Sequence, residues 1–426
     1  MKRKYNPFKP NSPVHFGMFF GRVGELTRTD EVLDQTANGN PTHILFVGER
    51  GIGKTSLLLV ANSLARGGFP SPFTGEKHDF LTVQISLTDE MTLVDFAIRL
   101  KTAIERELQK EGKTYAFIKK AWEFIQKLEV SGFQIKNKDV KTSNTEIVQN
   151  LIYSIADTAK ALTADKRGGE LALTPKKDGI VILIDEADHA SKSISLGMFL
   201  KSLTEFLVVE GCNKVLLVLA GLPGLKNVLA ESHESSLRLF EKFELSPLTQ
   251  SEVSLVMRKG IEEMNRHYPK TSVRIEDGAC EAVFTYSEGY PHFVQQIGYS
   301  TVSVDDDGII TKEDVKEAMF MRGGALASIG HRYYEDLFYR QIKVDSYRRI
   351  LKIMAKQWNE WVSKDYIKKH FKGKPTTLNN GIAALRNRSI ILAKKGSRGK
   401  YRLQWASFAF WINQQRLQPN HPELLL

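Results

Sequence analysis

Apolar residues in this chain gather in short runs set between longer polar stretches. Thr42-His43-Ile44-Leu45-Phe46-Val47 and the runs at 180–184 and 215–220 are of strand length and nearly continuous. Continuous rather than alternating apolar character predicts strands covered on both faces, as in a parallel sheet. Residues 80–87 alternate and predict another strand, and 241–245 predict the last. After the first run, Ser56-Leu57-Leu58-Leu59-Val60-Ala61 continues at helical spacing, as does 91–108 after the strand at 80–87. Strand and helix in alternation predict an α/β fold. From about 110 to 178 the chain is polar and rich in Lys. We expect a helical insertion there, with helices at 117–128 and 146–162, breakers at Arg167-Gly168-Gly169 and Pro175-Lys176-Lys177, and a solvated surface.

Beyond 245 the pattern turns helical. A capped helix starts at Leu248-Thr249-Gln250-Ser251-Glu252-Val253, more helices fill 275–302 around Gly289-Tyr290-Pro291-His292-Phe293, and another covers 312–321 after a turn at Asp305-Asp306-Asp307-Gly308. This reads as a helical lid. Gly323-Gly324 and the tract to about 345 predict a boundary. Three short helices follow at 347–357, 363–371 and 375–387, then strands Ile390-Ile391-Leu392 and Tyr401-Arg402-Leu403, joined by a basic turn. Three helices and a basic hairpin predict a winged helix. The expected domains are therefore 1–245, 246–335 and 336–426, in keeping with two or three domains for 426 residues.

With 42% hydrophobic and 26% charged residues, the balance is that of a globular chain. Its apolar runs fall far short of the roughly 20 residues that span a bilayer. Met1-Lys2-Arg3-Lys4 leads into Pro and Asn, not an apolar stretch, so we expect no secretory signal, a cytoplasmic protein and no membrane partner. Cys212 and Cys280 are the only cysteines, too few for a disulfide framework or zinc cluster, and are expected to be buried structural residues. The net charge of +11 is local: residues 343–402 hold 17 Lys or Arg against three acids, an excess larger than that of the whole chain. Such a concentration predicts an acidic partner.

Two stretches carry candidate chemistry. Gly48-Glu49-Arg50-Gly51-Ile52-Gly53-Lys54-Thr55 fits G-x-x-x-x-G-K-[ST] between a strand and a helix. Its backbone N–H groups and the positive helix end suit the phosphates of ATP, Lys54 reaches the β- and γ-phosphates, and the Thr55 hydroxyl suits Mg²⁺. Gly179-Ile180-Val181-Ile182-Leu183-Ile184-Asp185-Glu186-Ala187-Asp188 ends a buried strand in carboxylates, at the sheet edge where ligands collect. Asp185 is expected to hold Mg²⁺ through water, and Glu186 to orient and polarise the attacking water. In the basic domain, Leu378, Ile382 and Leu385 of the third helix share a core face, which leaves Thr377, Asn380, Arg386 and Arg388 for a groove of double-stranded DNA. Asn380 and Arg386 suit base edges, and Lys394, Lys395, Arg398 and Lys400 of the wing suit phosphates; packing on the ATPase core or on a protein partner is the alternative.

Phosphate loop, acidic strand end, helical lid and winged helix together resemble the AAA+ ATPases of the origin-recognition and replication-initiator type, in their archaeal form, and their STAND relatives. Phe20-Gly21-Arg22 resembles the F-x-G-R signature of that group, whose aromatic-rich arm, here with Phe8, Phe16, Phe19 and Phe20, wraps the adenine end of the nucleotide; capping the core is the other role open to these rings. The resemblance implies an arginine finger at Arg238, which also reads as a surface arginine. His292 stands near the family's second sensor arginine, where it contacts phosphate or caps the helix. Ala220-Gly221 occupies the place of the polar first sensor, a departure that implies slow hydrolysis. Also implied are a homo-oligomer with ATP at subunit interfaces and assembly on DNA. A STAND-type switch that recruits a separately encoded protein effector, as in bacterial defence, is the other function the resemblance allows.

Overall fold

The computed structural model describes residues 5–13, 19–72, 74–110, 121–125, 143–164, 176–267, 272–358, 360–394 and 396–415. They form two compact units, one of 13–246 and one of 1–12 with 247–426.

The first unit is built on five parallel strands: β1 (His43–Val47), β2 (Leu81–Ser86), β3 (Ile180–Asp185), β4 (Val215–Gly221) and β5 (Phe240–Glu244), in the order β2-β3-β4-β1-β5. Every residue of β1, β3 and β4 is buried, which is why these strands read as unbroken apolar runs. Helices α1 (Val23–Ala37), α2 (Lys54–Ala65), α3 (Leu93–Lys110), α4 (Asn144–Thr163), α5 (Leu196–Val209) and α6 (Leu225–Ser232) accompany the sheet. Because β4 lies between β1 and β3, the carboxyl ends of all three strands stand side by side.

The stretch expected to be a solvated insertion contributes to the core. Ile147, Leu151, Ile155 and Leu162 of α4 lie in the same apolar cluster as the sheet, and buried Trp122 donates its indole N–H to Thr158 Oγ1 at 3.0 Å. The i, i+4, i+8 spacing of Ile147, Leu151 and Ile155 marks a core-facing stripe that the surrounding lysines obscure. The breakers at 167–169 and Pro175 lie outside the described residues.

His43 makes the sheet sensitive to acid. It is buried on β1 and accepts the backbone N–H of Leu217 at Nδ1, 3.3 Å away, and burial lowers its pKa from 6.5 to about 4. The unfolded chain therefore takes up this proton at a higher pH than the folded one. The stabilisation is complete above pH 6.5 and is lost as pH falls toward 4, by about 3 kcal/mol from this group. Denaturant unfolding at pH 7 and pH 4.5 is expected to show the loss in the parent and a smaller one in His43→Gln; equal pH slopes refute the assignment.

In the second unit the helices of the expected lid are α7 (Gln250–His267), α8 (Asp277–Ser287), α9 (Pro291–Val304) and α10 (Lys312–Phe320), with two short paired strands, β6 (Arg274–Ile275) and β7 (Ile309–Ile310). Phe8 of the N-terminal arm is buried in a notch between Gly260 and Gly298, and Gln295 Oε1 accepts the Lys9 N–H at 2.9 Å. This ring caps a core. Phe19 and Phe20 are half-buried, and Phe16 lies outside the described residues. Cys212 in the first unit and Cys280 here are both buried thiols.

The tract read as a boundary is helical. From Ala325–Ile329 (α11) the helix widens into π-type turns over Gly330–Tyr334 and Asp336–Gln341. Its buried residues Leu326, Ile329, Tyr334, Phe338 and the following Ile342 recur at intervals of three to five, a wider period than an α-helix has. Gly330 is required for packing, since a Cβ there would sit 2.1 Å from the Trp411 ring. The paired glycines at 323–324 only start this helix.

The remaining elements are α12 (Asp345–Ala355), β8 (Val362–Ser363), α13 (Lys364–His370), α14 (Pro375–Asn387), β9 (Ile391–Ala393), β10 (Lys400–Leu403) and α15 (Ala406–Gln415). The strands form an antiparallel sheet in the order β8-β10-β9. This is the order expected of a winged helix. Tyr334 exchanges a hydrogen bond with Ser407 at 2.7 Å, and half-buried Glu288 accepts the Ala406 N–H, so α15 is fixed to the π-turned helix and to the end of α8. Among the described residues, no helix is long and apolar enough to cross a membrane.

Candidate nucleotide site and nucleic-acid interface

The loop after β1 turns into α2 at Gly53, whose φ of 97° lies in the left-handed region that side chains avoid. Gly48 N–H donates to Gly221 O at the end of β4, 3.2 Å away. The ammonium of Lys54 lies within the loop, donating to the carbonyls of Gly48 and Glu49 at 2.9 Å each. Burial lowers its pKa, while Asp188, Asp185, Glu186 and Glu49 pull it back up. A half-buried cation ringed by acids and held only by backbone carbonyls suits an incoming polyanion.

Thr55, the next residue, donates its hydroxyl to Asp185 Oδ2 at 2.7 Å across 130 residues of chain. Asp185 is 4% exposed, and its other oxygen accepts the Glu186 N–H at 2.9 Å. A hydroxyl and a carboxylate side by side are the oxygen donors that suit Mg²⁺, with phosphate and water completing the shell. Glu186 is exposed with a φ of 50°, a costly backbone for a residue with a side chain and one often found at functional sites. The structure thus brings Gly48, Glu49, Arg50, Gly51, Ile52, Gly53, Lys54 and Thr55 to the same end of the sheet as Asp185 and Glu186.

Sequence reasoning named two further residues at this site without giving them a role. Arg22 has a left-handed φ of 57° and a buried guanidinium that donates to Ile52 O at 3.1 Å and to Ser246 O, bracing the phosphate loop against the chain leaving β5. Its signal was the arginine of Phe20-Gly21-Arg22. Asp188 accepts the Leu222 N–H at 2.8 Å, is the foremost acid acting on Lys54, and has His189 beside it, paired with Asp89 at 2.9 Å. Its signal was the third acid of Asp185-Glu186-Ala187-Asp188. Ala220 is fully buried, and a Cβ on Gly221 would lie 2.6 Å from Asp188 Oδ1, so the end of β4 is filled by Asp188 where a polar sensor was sought.

Arg238 is exposed on a 3-10 turn spanning Glu234–Leu239, just before β5. His292, in the first turn of α9, sets its ring edge-on to Tyr333 at 4.9 Å between centroids.

On α14, Leu378, Ile382 and Leu385 are buried as expected, and Asn380 and Arg386 are exposed. Arg388, expected to be free for a groove, instead donates to Gln341 O at 3.1 Å, because the end of α14 packs beside the end of the π-turned helix. The hairpin of β9 and β10 is closed by Lys394 N–H to Lys400 O at 3.0 Å. Lys394, Arg398 and Lys400 are exposed on it, and Lys395 lies outside the described residues. Trp361 takes the Lys394 ammonium 6.0 Å and the Arg402 guanidinium 5.2 Å from its ring centroid, which steadies the base of the wing.

Residues 37–229 match the AAA domain family. The structure is similar to the Walker-type ATPase of Pyrococcus abyssi, with a TM-score of 0.57, 15% identity and coverage of 96% of this chain and 99% of that one. It is also similar to the ORC2 protein of Aeropyrum pernix, with a TM-score of 0.54, 13% identity and coverage of 93% and 96%. A protein of Methanocaldococcus jannaschii named as an uncharacterized HTH-type transcriptional regulator is 24% identical over 345 residues, 79% of this chain and 76% of that protein. The AAA-domain match thus spans the phosphate loop and the strand that ends at Asp185. The fold is that of the Walker-type ATPase of Pyrococcus abyssi and the ORC2 protein of Aeropyrum pernix.

Proposed function

We propose that this protein binds and slowly hydrolyses ATP with Mg²⁺ and acts on double-stranded DNA through its basic C-terminal winged helix. The observation that carries the DNA part is the placement of the chain's positive excess, 17 Lys or Arg against three acids in 343–402, on a domain with an exposed helix and an exposed hairpin. The regulator from Methanocaldococcus jannaschii, named as HTH-type, supports the same reading.

In this reading the loop N–H groups of 48–55 and Lys54 hold the triphosphate, Arg22 keeps the loop in shape, and Thr55 and Asp185 hold the metal. Bound there, Mg²⁺ offsets charge on the phosphate oxygens. Glu186 orients the attacking water and takes its proton. Arg238 completes the site from a neighbouring subunit. With Ala220 at the end of β4, turnover stays below the ~10 s⁻¹ of a median enzyme. The functional domains are 1–245, 246–335 and 336–426. Slow turnover equally suits a nucleotide switch that recruits a protein effector, which is the reading left if DNA is not bound.

The wing tests the DNA part. Each phosphate contact adds about 0.9 to the slope of log affinity against log salt, so Arg398→Ala with Lys400→Ala is expected to flatten the slope by up to about 2. An unchanged slope in the folded double variant removes the wing from the interface.

A further inference from the structure

On α14 the residues Leu378, Gly381, Ile382 and Leu385 face the core. At about 100° per residue, the opposite ridge holds Thr376, Asn380, Ala383 and Asn387, all exposed, with exposed Asn379 and Arg386 to one side. None of the four ridge residues is charged, although the ridge lies in the most basic part of the chain. A helix face that meets only solvent usually carries Lys, Arg or Glu, which favour both helix and water. Asn and Thr favour the helix less and compete for its backbone hydrogen bonds, so this ridge weakens the helix that bears it.

We propose that the ridge reads A·T base pairs in the major groove, an inference that rests on the DNA-binding reading above. An asparagine carboxamide matches adenine, with Oδ1 accepting from the N6 amino group and Nδ2 donating to N7. The methyl groups of Ala383 and Thr376 match the thymine C5-methyl. From Thr376 to Ala383 the helix rises about 10 Å, close to three base-pair steps. A neutral ridge enters the groove without drawing the helix onto phosphate, and exposed Lys372 and Lys374 ahead of α14, with the wing, hold the backbones on either side.

The test uses the full-length protein. Selection from random duplexes is expected to return sites with a core of A·T pairs. Replacing the core adenines by 7-deazaadenine removes N7 and is expected to weaken binding by about 5- to 100-fold, and replacing thymine by uracil by less. Asn380→Ala, which raises helix propensity and so keeps the fold, is expected to erase the 7-deazaadenine effect and leave the salt slope unchanged. A selected core of G·C pairs, or equal affinity for natural and 7-deaza duplexes, overturns the inference while DNA binding itself stands. Failure to bind any duplex overturns the DNA reading and this inference with it.

Discussion

Lys54→Ala is expected to weaken ATP binding by about 30- to 1,000-fold, equivalent to the loss of about 2–4 kcal/mol of charge-assisted contact with the phosphates. The side chain already lies in the loop, donating to Gly48 and Glu49 carbonyls at 2.9 Å, so the ammonium needs only to exchange these oxygens for phosphate oxygens. Removing it also takes a positive charge out of a site where Asp185, Asp188, Glu186 and Glu49 lie nearby. Thermal unfolding separates loss of binding from loss of fold, and isothermal titration reads the affinity. Unchanged affinity in a folded variant contradicts the phosphate-loop role.

The second large effect concerns turnover. Glu186→Gln keeps the shape and a hydrogen-bonding side chain but removes the basic oxygen, so it is expected to bind ATP like the parent and to release phosphate about 100- to 10,000-fold more slowly. The left-handed backbone at 186 carries this side chain out from the buried end of β3 while Asp185 stays in contact with Thr55. Equal phosphate release by variant and parent moves the water-activating role elsewhere, and Asp188 is then the acid to test, since it already binds the end of β4.

The phosphate loop was legible because it is contiguous, eight residues whose spacing is itself the geometry. The strand bearing Asp185 was legible because burial on both faces leaves an unbroken apolar run. Arg22 and Asp188 were harder to read because what they do is long-range: one braces Ile52 from 30 residues away, the other meets Leu222 across 34. The helix from 325 to 341 was missed because its π-type turns spread the buried residues beyond helical spacing and a glycine pair precedes it. Core packing by α4 was hidden beneath polar composition. In the basic domain, charge and helix register gave the face of α14, but the tie from Arg388 to Gln341 depends on a helix the sequence did not predict.

A titration of fluorescent duplex DNA with the full-length protein, with and without ATP and at two salt concentrations, tests whether the protein is a nucleotide-dependent DNA binder. Binding is expected whose affinity falls steeply with salt, with a slope set by the phosphate contacts of the basic C-terminal domain, and which ATP alters in the parent but not in Lys54→Ala. A folded, ATP-binding protein that ignores duplex DNA at both salt concentrations, with and without nucleotide, contradicts it.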